Sequence, residues 1–210
     1  MGRAEEIPRL GWVIAFLGVT ILLTFAYSSL KGTRPAPTAG HLKPLAPAPD
    51  FQLLDQTGKP FGLADLRGKI WAAAFLSTRD QGSGLLIGSR MEELNQMLGR
   101  AGGGVALVSF SLDSDFDRPD VLAAYAKKMG ADPARWKFLT GSRGDVEAVA
   151  GLFRPPGSVP DGKPTPPTRI VLVDRDGRVR GFHDGSDPEA VQKLLMDIGD
   201  LLRESSPKNP

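Results

Sequence analysis

The sequence predicts a mixed α/β domain, a central sheet flanked by helices with a β-hairpin at its N-terminal edge, carried behind one membrane-spanning helix. Three observations support this. Residues 10–27 are apolar and uncharged. From residue 70 onward, apolar runs of strand length alternate with segments whose apolar residues recur at helical spacing. Two connections, around Gly58 and Gly177, have the length and residue types of hairpin turns.

Composition excludes several classes of function. The 210 residues carry 26 basic and 24 acidic side chains, a formal net charge of +2, interleaved along the chain without the basic stripe that neutralises phosphates. No nucleic-acid partner is expected. There is no cysteine, so disulfides, thiolate nucleophiles, redox pairs and thiolate metal sites are all absent.

Residues 10–27, LGWVIAFLGVTILLTFAY, are about as long as a helix that crosses the hydrocarbon core. A cleaved leader would have a shorter apolar core and a better small-residue site than Ala26-Tyr27-Ser28. The segment therefore reads as a single-pass anchor. Arg3 and Arg9 before it are matched by Lys31 and Arg34 after it, so the charge rule leaves its orientation open. Residues 28–49 are rich in Pro and Ala and read as an extended spacer. The organisation expected is a short N-terminus over 1–9, the anchor over 10–27, the spacer over 28–49, the domain over 50–203 and a polar tail over 204–210.

Within the domain, strands over 51–54 and 60–63 flank the turn 55–59. The continuous apolar run 70–76 reads as a central strand buried on both faces, with Trp71 in the core. A Gly-containing loop follows, then a helix carrying Met91, Leu94, Met97 and Leu98, then a second buried strand over 105–112. Strand, helix, strand implies a parallel pair. Pro119 opens a helix that stops at Gly130. A strand over 136–139 precedes a helix over 145–153, whose start shows Ser142 and Asp145 at capping-box spacing. Strands over 169–174 and 179–183 are joined by an Asp-Gly turn. A last helix, from about Pro188 with Ser186 or Asp187 as cap, is expected to bury Val191, Leu194, Leu195, Ile198, Leu201 and Leu202. Hairpin, β-α-β, helices, β-β-α is the thioredoxin-like order.

The segments APDFQLLDQTGKPFGLADLRGK, IWAAAFLSTR, SLDSDFDRPDVLAAYAKKMG and TRIVLVDRDGRVRG resemble, in sequence and in order, the Sco/SenC family of membrane-anchored proteins that deliver copper during cytochrome c oxidase assembly. The resemblance spans residues 48–202. It implies a bacterial inner-membrane anchor with residues 1–9 in the cytoplasm and the domain facing the periplasm, and a membrane complex, such as a respiratory oxidase, as partner. The family's copper site resembles a Cys-x-x-x-Cys pair after the central strand plus a histidine before the strand that here begins at Arg169. Those positions hold Asp80, Gly84 and Pro166. No bound metal or other cofactor is expected. Rebuilding the three ligands is expected to create copper binding, unless a positive φ at Gly84 resists a cysteine. The family fold also implies a cis proline before that last strand, which places Pro166 and Pro167 opposite the loop 77–87.

Other constellations are weaker. The glycines at 82, 84 and 88 fit neither phosphate-loop pattern and lead to no lysine, so residues 81–88 read as a flexible remnant loop. Asp113, Asp115 and Asp117 open like a calcium loop, but Arg118 stands where its glycine belongs and Ala124 where its glutamate belongs. They read as a solvated acidic turn. His183 with Ser77 or Ser83 lacks the third member of a hydrolase triad and reads as a solvated hairpin histidine. Met91, Met97, Met129 and Met196 read as helix-core packing rather than thioether ligands. Three functional readings follow: a Sco-like binding or scaffold module that has lost its metal and is not an enzyme, a copper chaperone using other ligands, or an enzyme using Asp80. The first is favoured, because a fold persists when its site changes.

Overall fold

The structure is a computed structural model that describes residues 42–99, 103–153 and 168–204. The expected anchor, most of the spacer, Pro166, Pro167 and the last six residues lie outside them. No helix among the described residues is long and apolar enough to cross a membrane.

Among the described residues eight strands, β1 (Ala46–Pro47), β2 (Gln52–Asp55), β3 (Pro60–Gly62), β4 (Ile70–Leu76), β5 (Val105–Ser111), β6 (Trp136–Thr140), β7 (Arg169–Val173) and β8 (Arg178–Asp184), form one mixed sheet in the order β1-β8-β7-β4-β5-β6-β2-β3. Its centre is β4 (Ile70–Leu76), every residue of which is buried. It pairs in parallel with β5 (Val105–Ser111) and antiparallel with β7 (Arg169–Val173). Three consecutive alanines make β4 a weak strand former by propensity. Burial on both faces overrides that, because small side chains let helices approach the sheet closely.

Alternation along β4 divides the core into two layers. Ile70, Ala72, Ala74 and Leu76 face α1 (Ser83–Leu98), α2 (Pro119–Lys128) and α4 (Ala190–Arg203), which contribute Ile87, Met91, Leu94, Leu122, Val191, Leu194 and Ile198. Trp71, Ala73 and Phe75 face α3 (Arg143–Leu152), with Val146, Val149 and Phe153, and the N-terminal segment with Phe51 and Leu53. Phe51 and Phe153 each meet the Trp71 ring edge-on.

β2 (Gln52–Asp55) and β3 (Pro60–Gly62) form the expected hairpin, and β2 pairs with β6 (Trp136–Thr140). Asp55 closes its turn by accepting from the Thr57 and Lys59 amides at 2.8 and 3.2 Å. β7 and β8 (Arg178–Asp184) form the Asp-Gly hairpin, with Gly177 at φ +72°. Ser142 caps α3, its Oγ accepting from the Asp145 amide at 3.2 Å, but the expected box is only half formed, because the Asp145 carboxylate accepts from the Ser142 hydroxyl at 2.5 Å rather than from its backbone amide.

Several expectations are corrected. The sheet begins before residue 50, because β1 (Ala46–Pro47) pairs with Val179 and Arg178 of β8 and Ala48 is buried. An edge needing hydrogen-bond partners recruits the end of the spacer. The remnant loop is shorter than expected, since residues 83–88 are the first turns of α1. Gly88 lets that helix approach α2: a Cβ there would lie 2.5 Å from Tyr125 Oη. Met91 and Met129 are buried, but Met97, Met196 and Leu202 are exposed. Met196 lies across α4 from Leu194 and Ile198 at about 100° per residue, and Leu202 lies at the edge of the buried stripe.

Candidate functional site

The candidate site lies where the C-terminal ends of the parallel strands β4 and β5 open into loops, the position at which open α/β sheets place their sites. The first loop, Ser77 to Gly82, leads into α1. The second, Leu112 to Arg118, leads into α2. Leu112 N donates to Leu76 O at 2.8 Å, holding the two loop origins together.

Asp80 dominates the first loop. One carboxylate oxygen accepts from the Gly82 amide at 2.8 Å, the other from Ser83 Oγ at 2.7 Å and the Gly84 amide at 2.8 Å. These are unpaired donors at the start of α1, and a carboxylate there also meets the positive end of the helix dipole. The Ser83 hydroxyl and the two amides hold the Asp80 carboxyl below its ordinary range. The anion position of this helix is thus occupied by the chain itself.

Gly84 is buried and has no positive φ. A Cβ there would lie 2.7 Å from the Asp80 Cβ and 2.9 Å from Ser77 O. The obstacle to a side chain is therefore steric crowding, not the backbone conformation anticipated from sequence.

The two loops are clasped by carboxylates of the second. Asp117 is fully buried and accepts from the Thr78 amide at 3.1 Å, from the Thr78 hydroxyl and from Ser111 Oγ at 2.5 Å. Asp113 accepts from Arg79 Nε at 2.9 Å, and the Arg79 guanidinium lies 4.3 Å from the centre of the exposed Phe116 ring. Asp115 pairs with Arg143 at 2.8 Å. The acidic turn is therefore not simply solvated: only Asp115 fits that reading, because Asp117 turns inward to satisfy donors that β4 and β5 expose at their ends. Sequence reading missed this role. The one available signal was the position of Asp117 two residues before the helix-opening Pro119.

His183 is also corrected. Its side chain is 10% exposed, and Nε2 lies 3.3 Å from Asp197 Oδ2 because α4 packs across the end of β8. It forms no hydrogen bond to Ser77 or Ser83, so no hydrolase triad is assembled. Pro166 and Pro167 lie outside the described residues.

A Cu(I) site of the kind the resemblance implies does not fit these residues. Soft thiolates select Cu(I), whereas position 80 is a hard carboxylate already satisfied by three donors, position 84 has no room for a side chain, and the chain has no cysteine. Among the described residues no group of three or more His, Asp or Glu side chains is placed to hold a metal.

Comparison with known proteins places this architecture. The family model SCO1/SenC matches residues 41–202. An SCO1 protein homolog of Bacillus subtilis is 27% identical over 152 residues, covering 70% of this chain and 79% of the homolog. The crystal structure of a SCO1/SenC family lipoprotein from Bacillus anthracis is 30% identical with a TM-score of 0.67, covering 77% of this chain and 98% of that one. BsSco, a member of the Sco family of cytochrome c oxidase assembly proteins in which a disulfide switch has been identified, is 26% identical with a TM-score of 0.66, covering 78% and 98%. Copper-bound ScoI of Bradyrhizobium japonicum, at 23% identity and a TM-score of 0.60 with 74% and 99% covered, shares the fold.

The fold and the paired loops at the ends of β4 and β5 define a thioredoxin-like domain of the Sco type. The chain belongs to the SCO1/SenC family.

Proposed function

We propose that this chain is a membrane-anchored Sco protein that serves cytochrome c oxidase assembly as a binding or scaffold module, without copper or thiol chemistry. The observation that carries the reading is the closed first loop. Asp80 caps α1 from within, and the crowding at Gly84 leaves no place for a second ligand. What remains accessible is a surface: Arg79, Phe116 and Leu85 rim the loop and are exposed. Family membership supports the oxidase as the system served, since BsSco is an oxidase assembly protein. The apolar segment 10–27 supports a single-pass anchor in a bacterial inner membrane, with the domain on the periplasmic side.

The test is purification of the full chain in mild detergent, with identification of the membrane proteins that accompany it and assay of Cu(I) in competition with a chelator. Oxidase subunits in the eluate, lost with Arg79→Glu or Phe116→Ala, and a copper-free protein are the expected results. Stoichiometric Cu(I) on the unmodified chain overturns the reading, as does an oxidase that assembles normally when the gene is deleted.

A further inference from the structure

The two ends of β4 differ in charge. The loops at its C-terminal end, 77–82 and 112–118, carry Asp80, Asp113, Asp115 and Asp117 against Arg79 and Arg118. At the other end, about 20 Å away at 3.3 Å per residue, the fold gathers cations from segments far apart in the chain. Gly68 N donates to Arg175 O at 3.1 Å, joining the start of β4 to the β7–β8 turn. Arg175 donates in turn to the carbonyls of Leu201 and Glu204 at 2.9 and 3.3 Å, which brings in the end of α4. Leu45 N donates to Val179 O at 2.8 Å, and Leu42 O accepts from Arg180, which also holds Glu204, so the first described residues arrive at the same end.

Lys43, Arg67, Lys69 and Arg178 are exposed here and form no ion pair among the described residues. Lys69 Nζ reaches only the Asp65 carbonyl, at 3.1 Å. Arg203 is exposed too, although its partner Asp200 is buried. Against these cations stand two exposed carboxylates, Asp176 and Asp65, and Asp65 already accepts from the Gly62 amide at 2.8 Å. The face is therefore net positive. Leu45 and Leu202, 45% and 41% exposed, lie on the same segments.

Exposed cations interspersed with leucines suit an anionic lipid surface, where headgroups pair with the charges and the leucines enter the headgroup boundary. Connectivity favours this occupant over a soluble one. Residues 28–41, which join this end of the domain to the apolar segment 10–27, reach at most about 50 Å even at about 3.5 Å per residue. An anchored domain is thereby held at high effective concentration over the bilayer. We propose that this face docks on the anionic headgroups of the bilayer that holds the anchor, turning the Asp80 loop, with Arg79 and Phe116, away from the membrane. The inference rests on the anchor in the function proposed above and not on the oxidase role.

The experiment uses the full chain in lipid nanodiscs. It has no cysteine, so a single introduced cysteine carries a fluorophore at one chosen place: Ala64→Cys beside Arg67, or Gln81→Cys on the Asp80 loop, both exposed positions. Quenching by a headgroup-labelled lipid reports proximity to the bilayer. In discs with about a third phosphatidylglycerol, the probe at 64 should be quenched at least about twofold more than the probe at 81. That difference should vanish in phosphatidylcholine discs, at about 0.5 M salt, where charges are screened within a few ångströms, and in the chain carrying Arg67→Glu, Lys69→Glu and Arg178→Glu, all surface changes. A chain that fails to co-elute with the discs refutes the anchor, and this proposal with it. An incorporated chain whose two probes are quenched alike in phosphatidylglycerol discs refutes the docking alone. So does a difference that survives in phosphatidylcholine, in high salt or in the charge-reversed chain.

Discussion

Asp80 and Gly84 exclude one another's alternatives: the carboxylate that caps α1 brings the Asp80 Cβ to within 2.7 Å of where a side chain at 84 would begin. Gly84→Ala should therefore cost about 1–3 kcal/mol, as overpacking does, read as a lower urea midpoint at unchanged slope. With Asp80→Gly in the same chain the two costs should be less than additive. Additive costs would refute the relationship.

The same geometry bears on rebuilding the family's ligands. Disulfide-bonded cysteines hold their Cβ atoms about 3.5–4.5 Å apart, wider than this backbone allows between 80 and 84. The full chain carrying Asp80→Cys, Gly84→Cys and Pro166→His is therefore expected to bind no stoichiometric Cu(I) against a modest chelator. Retention of one Cu(I) per chain would show that the first turn of α1 yields.

Asp117→Ala removes the acceptor of the Thr78 amide and of two hydroxyls inside the protein. Buried donors left unpaired cost about 1–3 kcal/mol each, so this change should be the most damaging at the site, above about 3 kcal/mol by chemical denaturation. Thr78→Val should cost about 1 kcal/mol. If Asp117→Ala is as mild as Thr78→Val, the clasp between the loops is not what holds them.

Arg180 ties both ends of the described domain to the sheet. Its buried guanidinium donates to Leu42 O and Asp174 Oδ2 at 2.8 Å each, and to both oxygens of Glu204 at 2.7 and 2.8 Å. Arg180→Ala leaves a buried carboxylate uncompensated and should cost about 3–5 kcal/mol. Asp174→Asn and Glu204→Gln should cost less, because each leaves the cation one partner. Proteolysis near Leu42 should rise in Arg180→Ala before global unfolding; protection equal to that of the wild type would count against the tie.

Asp55 makes the β2–β3 turn acid-sensitive. Burial raises its pKa, but hydrogen bonds from Thr57 and Lys59 and the nearby Lys137 outweigh it, and the net shift is downward. A depressed carboxylate stabilises the fold above its unfolded pKa and loses that contribution as pH falls through the folded value. Stability should therefore decline below about pH 4, and more gently in Asp55→Asn, which is weaker at neutral pH. Parallel decline in the two proteins would assign the acid sensitivity elsewhere.

Periodicity and turn chemistry were enough to order the elements. The run 70–76 could be buried only as a central strand, and Asp-Gly before Arg178 could be little other than a hairpin, because both signals are local. Absence of cysteine likewise removed thiol chemistry without reference to any fold. Contacts between residues far apart in the chain were not legible in this way. That Asp117 turns inward to Thr78, that His183 meets Asp197, that β1 is drawn from the spacer and that Trp71 is left without an acceptor all depend on how the sheet stacks its helices. A sequence pattern reports which face of an element is apolar. Which polar group then finds a partner, and which does not, is decided when the faces close and water leaves, since only then does an unpaired donor become costly.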